Sequence, residues 1–140
     1  LSIGSVGGRD YNIVENVLVS NSEIVNSING VRIKTVYGAT GSVTNVTYEN
    51  IVLKDIVKFG IVIEGDYNIT NGSPTGVATD GVPIKEFYLR NVTGTVKESG
   101  VNIYILVKRA SDWQWSDVNV TGGEKTKPCE GVPEGSEISC

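Results

Sequence analysis

Apolar and polar residues alternate along this chain in short runs, and nowhere do they recur with a helical period. The runs are "YNIVENVLV", "EIVNSINGVRIKTV", "VTNVTYENIVLKDI", "FGIVIEGD", "EFYLRNVTGTV", "VNIYILV" and "WQWSDVNVTG". They are rich in Val and Ile, and small polar turn residues separate them. Period two with β-branched residues predicts strands. The expected fold class is therefore all-β.

The runs also repeat. "ENVLVSNSEI" resembles "TNVTYENIVL", with Asn45-Val46 standing 29 residues after Asn16-Val17 (45 minus 16). "NGVRIKT" resembles "FGIVIEG", with Ile61 standing 30 residues after Val31 (61 minus 31). A third unit, "LRNVTGTV" then "GVNIYILV", follows an insertion, and "WSDVNVTGG" starts a fourth. Units of this length made only of strand and turn predict a parallel β-helix of about three to four coils. A propeller blade would need longer, four-stranded units.

In such a solenoid, equivalent residues of successive coils lie roughly 4.8 Å apart. The Asn that recurs beside an apolar residue, at Asn16, Asn45, Asn91 and Asn119, then has two readings. Stacked amides at a bend can hydrogen-bond from coil to coil. Alternatively Asn45, Asn91 and Asn119, each in the form Asn-Val-Thr, are glycan acceptors. Asn68-Ile-Thr and Asn71-Gly-Ser lie in a loop-like stretch and are the better glycan candidates. That stretch is the insertion "DYNITNGSPTGVATDGVP", and long loops on solenoids usually project over the functional face.

Within "NGVRIKT", Val31 and Ile33 point one way and Arg32 and Lys34 the other. The two cations sit roughly 7 Å apart on one face. One reading is a solvated pair balanced by Glu64, which stands 30 residues after Lys34 (64 minus 34). The other is an anion site: a guanidinium forks onto a carboxylate and an ammonium adds a second charge. Tyr67, three residues beyond Glu64, falls near the end of the stacked strand. A phenol there could bond a sugar hydroxyl or stack on its ring.

Composition narrows the partners. The 140 residues carry a net charge of −4, which argues against a nucleic-acid partner, since that needs a basic face. No apolar run approaches the roughly 20 residues of a membrane helix. With no His and no acidic cluster at ligand spacing, no metal or cofactor is expected. Cys129 and Cys140 flank a Gly/Pro-rich tail loop and are expected to form a disulfide, which implies an oxidising compartment. Trp113 and Trp115 share a face by period two and are read as end-coil packing, with sugar stacking the alternative.

"RIK", preceded by "NGV" and followed by "GATGSV", resembles the signature of the polygalacturonases, the pectin-degrading enzymes of glycoside hydrolase family 28. "LSIGSVGGR", "FGIVIEGDY", "NGSPTG", "DWQW", "VTGG" and the terminal Cys pair are similar to the fungal-type endopolygalacturonases, in the same order. The resemblance implies a right-handed parallel β-helix and inverting hydrolysis of α-1,4-galacturonosyl bonds. It further implies that Arg32 and Lys34 bind a galacturonate carboxylate beside the scissile bond, with Tyr67 as the active-site tyrosine. The family's catalytic Asn-Thr-Asp, Asp-Asp and Gly-His-Gly motifs do not occur here. In the family, Gly-His-Gly directly precedes "LSIGS"-type sequence. Residues 1–140 are thus read as the C-terminal part of a single β-helix domain, with no catalytic residue among them. Asp10, Asp55, Asp66 and Asp117 are not recruited as substitutes. "YILVKRASDWQW" also lacks the two Cys that fungal relatives carry there. The resemblance implies secretion, a monomer, polygalacturonate as ligand and plant polygalacturonase-inhibiting proteins as partners. A non-catalytic pectin-binding homologue, or an exo-acting or rhamnogalacturonan-type hydrolase, stays open beside it.

Overall fold

The structure, a computed structural model, describes residues 1–140. It contains nine strands and no helix. One sheet stacks β1 (Ser2–Val6), β3 (Asn29–Val36), β5 (Phe59–Asn68) and β8 (Val101–Leu106), all parallel. The second stacks β2 (Asn12–Val25), β4 (Gly41–Ile56), β7 (Ile84–Val96) and β9 (Ala110–Thr121), again all parallel. The two-residue β6 (Ser73–Pro74) folds back antiparallel onto the end of β5. The chain passes from the first sheet to the second four times. The result is a right-handed parallel β-helix, the sense in which parallel connections close back on their sheet.

The pairing register is the sequence repeat itself. Val17 pairs with Val46 and Val31 with Ile61. The side chains that recur at these offsets, among them Val31, Ile33, Val46, Ile61 and Ile63, are fully buried. Coil stacking thus turns a one-dimensional repeat into one continuous core.

The long strands of the second sheet are not straight. Asn16, Asn21 and Asn26 all have φ between 51° and 59°, as do Asn45, Asn50 and Asp55 on the next coil. Glu86, Asn91, Asp112 and Asp117 continue the pattern. Asn and Asp enter this left-handed region more readily than other side chains. Each such residue turns the strand and resets its alternation, so β4 buries Val46 and Tyr48, then Ile51 and Leu53, then Ile56. The spacing of five between bends is what closes each coil.

The bend residues form the amide ladders, in two columns rather than one. Asn45 donates to Asn16 Oδ1 at 2.8 Å. In the second column Asn50 donates to Asn21 Oδ1 at 3.1 Å, and Asn91 donates to Asn50 Oδ1 at 3.0 Å. Asn91 therefore belongs to a different column from Asn16 and Asn45. Asn119 belongs to neither, because it pairs in register with Thr93, away from the bends. Asp55 and Asp117 are bend residues too.

Aromatic rings fill the interior from coil to coil. Tyr48 meets Phe87 edge-on at 6.3 Å, and Phe87 meets Trp113 and Trp115 edge-on at 5.2 and 5.8 Å. The two indoles stack at 6.2 Å, and Trp113 Nε1 donates to Ile84 O on the coil below. Both tryptophans are packing residues of the last coil. Cys129 and Cys140 form a disulfide with Cα atoms 5.9 Å apart, within the ordinary span for such a bridge. It secures a tail that adds two further bridges to the first sheet, Lys125 to Val101 and Glu130 to Leu106.

Candidate functional site

The outer face of the first sheet carries the candidate site. With Val31 and Ile33 buried, the alternation of β3 turns Arg32 and Lys34 outward, both half-buried. On the adjacent strand β5, Glu64 stands opposite Lys34. The next paired residues are Val36 and Tyr67, so β5 holds one residue more than β3 over this stretch. That bulge, at Gly65 and Asp66, breaks the alternation and re-aims Tyr67, a common device beside functional sites.

As a result Lys34 Nζ lies over the Tyr67 ring, 4.0 Å from its centroid. Glu64, although opposite Lys34, sends its carboxylate diagonally to Arg32, with Oε1 3.8 Å from Nη2. The carboxylate balance expected at Lys34 therefore falls on Arg32. At that length the contact is charge against charge without a hydrogen bond. Arg32 Nε is buried and has no partner at all. The two cations keep donors free toward an open cleft of about 280 Å³, whose wall also includes Lys58, Asp66 and Pro74.

Burial is the main cause of the shifts here. It pushes Lys34 below the ordinary lysine range, the Arg32 charge adds to this, and Glu64 opposes it. Burial, then the neighbouring Asp66, pushes Glu64 upward, against Arg32, Lys58 and Lys127. Asp66 itself is almost fully enclosed. Its Oδ2 accepts from Gly76 N at 3.0 Å and its backbone oxygen from Thr75 N at 2.8 Å. Asp66 thereby ties down the returning arm of the 66–83 insertion, whose Gly72 and Pro74 line the cleft.

The cleft continues past Lys58, Glu64 and Asp66 into a second hollow of about 260 Å³. There Phe59 and Tyr104 stack at 5.6 Å, and Lys127 lies 4.3 Å from the Tyr104 centroid. Sequence reasoning did not find Lys58, Tyr104 or Lys127. Lys58 lies in the turn before β5, Tyr104 on β8 and Lys127 in the tail, and they meet only because the coils and the tail stack in register. A larger hollow of about 500 Å³ near Ile69 contains a single ionisable side chain, Arg9. The concentrated charge lies at Arg32 and Lys34.

A family model described as "Glycosyl hydrolases family 28" matches residues 1–140. The chain belongs to glycosyl hydrolase family 28. It is 56% identical over 141 residues to "Probable endopolygalacturonase B" of Aspergillus kawachii, covering 99% of this chain and 38% of that protein. It is 59% identical over 142 residues to "Polygalacturonase 2" of Penicillium olsonii, covering 100% of this chain and 36% of that one. Among solved structures it is similar to endopolygalacturonase I from Stereum purpureum complexed with two galacturonates. That match has a TM-score of 0.72 and 29% identity, over 89% of this chain and 37% of the other. The chain thus spans well under half the length of the family 28 proteins it matches.

Proposed function

We propose that the protein is a polygalacturonate hydrolase, and that residues 1–140 supply its grip on the substrate's carboxylate. One observation carries this reading. Arg32 and Lys34 stand side by side on a stiff strand with Tyr67 beside them, in a chain that family 28 matches from end to end. A carboxylate entering the cleft meets the terminal guanidinium nitrogens of Arg32 and the ammonium of Lys34, which both line it. Such a rigid two-cation seat suits a polymer that repeats a carboxylate at every sugar.

In this reading the bond cleaved lies beside the seated uronate. One carboxylic acid protonates the leaving oxygen, and carboxylates across the bond activate water, with inversion. Those acids belong to the coils that precede the RIK strand in the family, and Asp66 is not assigned to replace them, since no family motif surrounds it. Arg32, Lys34 and Tyr67 bind and orient. The disulfide and the sequons at Asn68 and Asn71 support a secreted glycoprotein. Its resemblance to fungal endopolygalacturonases supports a monomer recognised by plant polygalacturonase-inhibiting proteins.

The test is hydrolysis of polygalacturonate by the full-length protein, followed by reducing-end release and product length. Long-lived intermediate oligomers establish endo action, whereas monomer from the start indicates exo action. Full binding without turnover marks a non-catalytic homologue. Unchanged kinetics in both Arg32→Ala and Lys34→Ala sink the site assignment.

A further inference from the structure

Glu64 is an anion placed inside a site built for anions. Its side chain is 16% exposed and its oxygen lies 3.8 Å from Arg32. This contact is too long to be a hydrogen bond and leaves Arg32 Nε without a partner. It is therefore a long pair with no hydrogen bond, which an acceptor that bonds the guanidinium directly can displace. Glu64 also lines both the Arg32 cleft and the adjoining hollow.

We infer that Glu64 is a built-in competitor for the substrate carboxylate, holding Arg32 until a uronate displaces it, so that protonation of Glu64 opens the site in mildly acidic water. This rests on the proposed reading of Arg32 and Lys34 as the uronate seat.

The groups around Glu64 set the sense of the effect. Arg32 and Lys34 face it from β3, and Lys58 from the turn before β5. Asp66 stands on its own strand, beside Tyr67. Tyr104 faces it from β8, and Lys127 from the tail. Glu130 pairs in register with Leu106, which in turn pairs with Glu64. Burial and Asp66 outweigh the cations and favour the neutral acid. A galacturonate carboxyl has the electron-withdrawing ring oxygen on its neighbouring carbon, which makes it a stronger acid than a glutamate. As pH falls, Glu64 therefore loses its charge first, while the uronate stays ionised. Within that window Arg32 has no internal partner and the incoming anion has no rival.

The variant Glu64→Gln reproduces the neutral form at every pH without changing side-chain shape. The probe is galacturonate, the monosaccharide, titrated into the full-length protein and followed by NMR, with its methyl ester as an uncharged control. At about pH 7 the variant is expected to bind galacturonate about three- to fivefold more tightly, a modest gain because the displaced pair is long and has no hydrogen bond. That gain shrinks to nothing near pH 4.5, close to the ordinary glutamate range, and does not occur with the ester. Equal binding by parent and variant at about pH 7 overturns the inference. So does weaker binding by the variant at both values, which would make Glu64 a ligand of the sugar. Arg32→Gln separates the two proposals. If it weakens binding while Glu64→Gln changes nothing, the uronate seat stands and the competitor falls. If Arg32→Gln binds like the parent, the seat itself is wrong and the competitor falls with it.

Discussion

The Lys34 ammonium and the Tyr67 ring face each other across two coils, 4.0 Å from nitrogen to centroid. The contact exists because β5 bulges between Glu64 and Tyr67. Without the extra residue, strict alternation would aim the ring elsewhere. The ring face takes up one side of the ammonium, and the remaining donors point to the cleft.

Loss of the ring should therefore loosen Lys34 more than loss of the hydroxyl. Tyr67→Ala is expected to raise KM for polygalacturonate about two- to fivefold through the cation–π contact alone. Tyr67→Phe keeps the ring and should show less of this, unless the hydroxyl bonds the sugar. Lys34→Ala removes a charged donor and is expected to raise KM about ten- to a hundredfold. Because burial holds Lys34 below the ordinary lysine range, carboxylate binding should fade on the alkaline side before a free lysine would lose its proton. Kinetics of the three variants across pH check this.

The bends make a separate prediction. Asn50 has φ 55° and both accepts from Asn91 and donates to Asn21. Asn50→Ala meets the left-handed penalty of roughly 1–2 kcal/mol and loses two exposed hydrogen bonds. A loss of about 2–3 kcal/mol is expected in urea unfolding. Asn50→Gly tolerates the angle and should lose only about 1 kcal/mol. Equal losses in the two variants would mean that backbone conformation is not what Asn50 supplies.

The coil register was readable because in a solenoid the sequence offset is the pairing register. Period two likewise placed Arg32 and Lys34 on the outer face. The spacing of five among Asn16, Asn21 and Asn26 is also present in the sequence, but period two does not reveal it, because each bend resets the alternation that marks a strand. Asn119 shares the Asn-Val pair but not this spacing, and so lies outside the ladders. The ion pair was unreadable for a different reason. Register says which residue stands opposite, but Glu64 reaches diagonally past Lys34 to Arg32. The bulge at Gly65 and Asp66 needed both strands at once.

Glycan placement follows from which amides are already engaged. Asn45 and Asn91 donate their side-chain N–H groups into the ladders. Asn68 and Asn71 use only Oδ1, which accepts from Thr70 N and Ser73 N in tight turns, so their amide nitrogens stay free. Mass spectrometry of the protein expressed through a glycosylating secretory host is expected to find sugar on the 67–74 hairpin and none on Asn45 or Asn91. A full glycan on Asn45 would require the first column to open.

Tyr48 links stability to alkaline pH. Its ring is fully buried, its hydroxyl donates to Leu1 O at 3.3 Å, and burial pushes its ionisation up to about 12. The unfolded tyrosine ionises near 10. The folded state thus holds its proton longer, and this contribution is complete below about pH 10 and disappears as pH rises toward 12. Up to about 2–3 kcal/mol is at stake. Urea unfolding at about pH 9 and about pH 11 should show the parent losing stability that Tyr48→Phe does not lose.

Gly30 couples the stack to the site. A Cβ there would press on the Gly60 carbonyl of the neighbouring coil and lie 2.9 Å from both Leu53 methyls. The backbone is the harder obstacle, since a leucine can shift and a paired strand cannot. Gly30→Ala must therefore push β3 away from β5, two residues before Arg32. An overpacking loss of about 1–3 kcal/mol is expected, together with a raised KM, because Arg32, Lys34 and Tyr67 keep their spacing only while those strands stay in contact. Gly38→Ala is the matched control. Gly38 has φ 74° with open space around it, so that variant should lose about 1–2 kcal/mol by strain alone and leave KM unchanged. Equal KM changes in the two variants would show that general destabilisation, and not the spacing of β3 and β5, controls the proposed carboxylate seat.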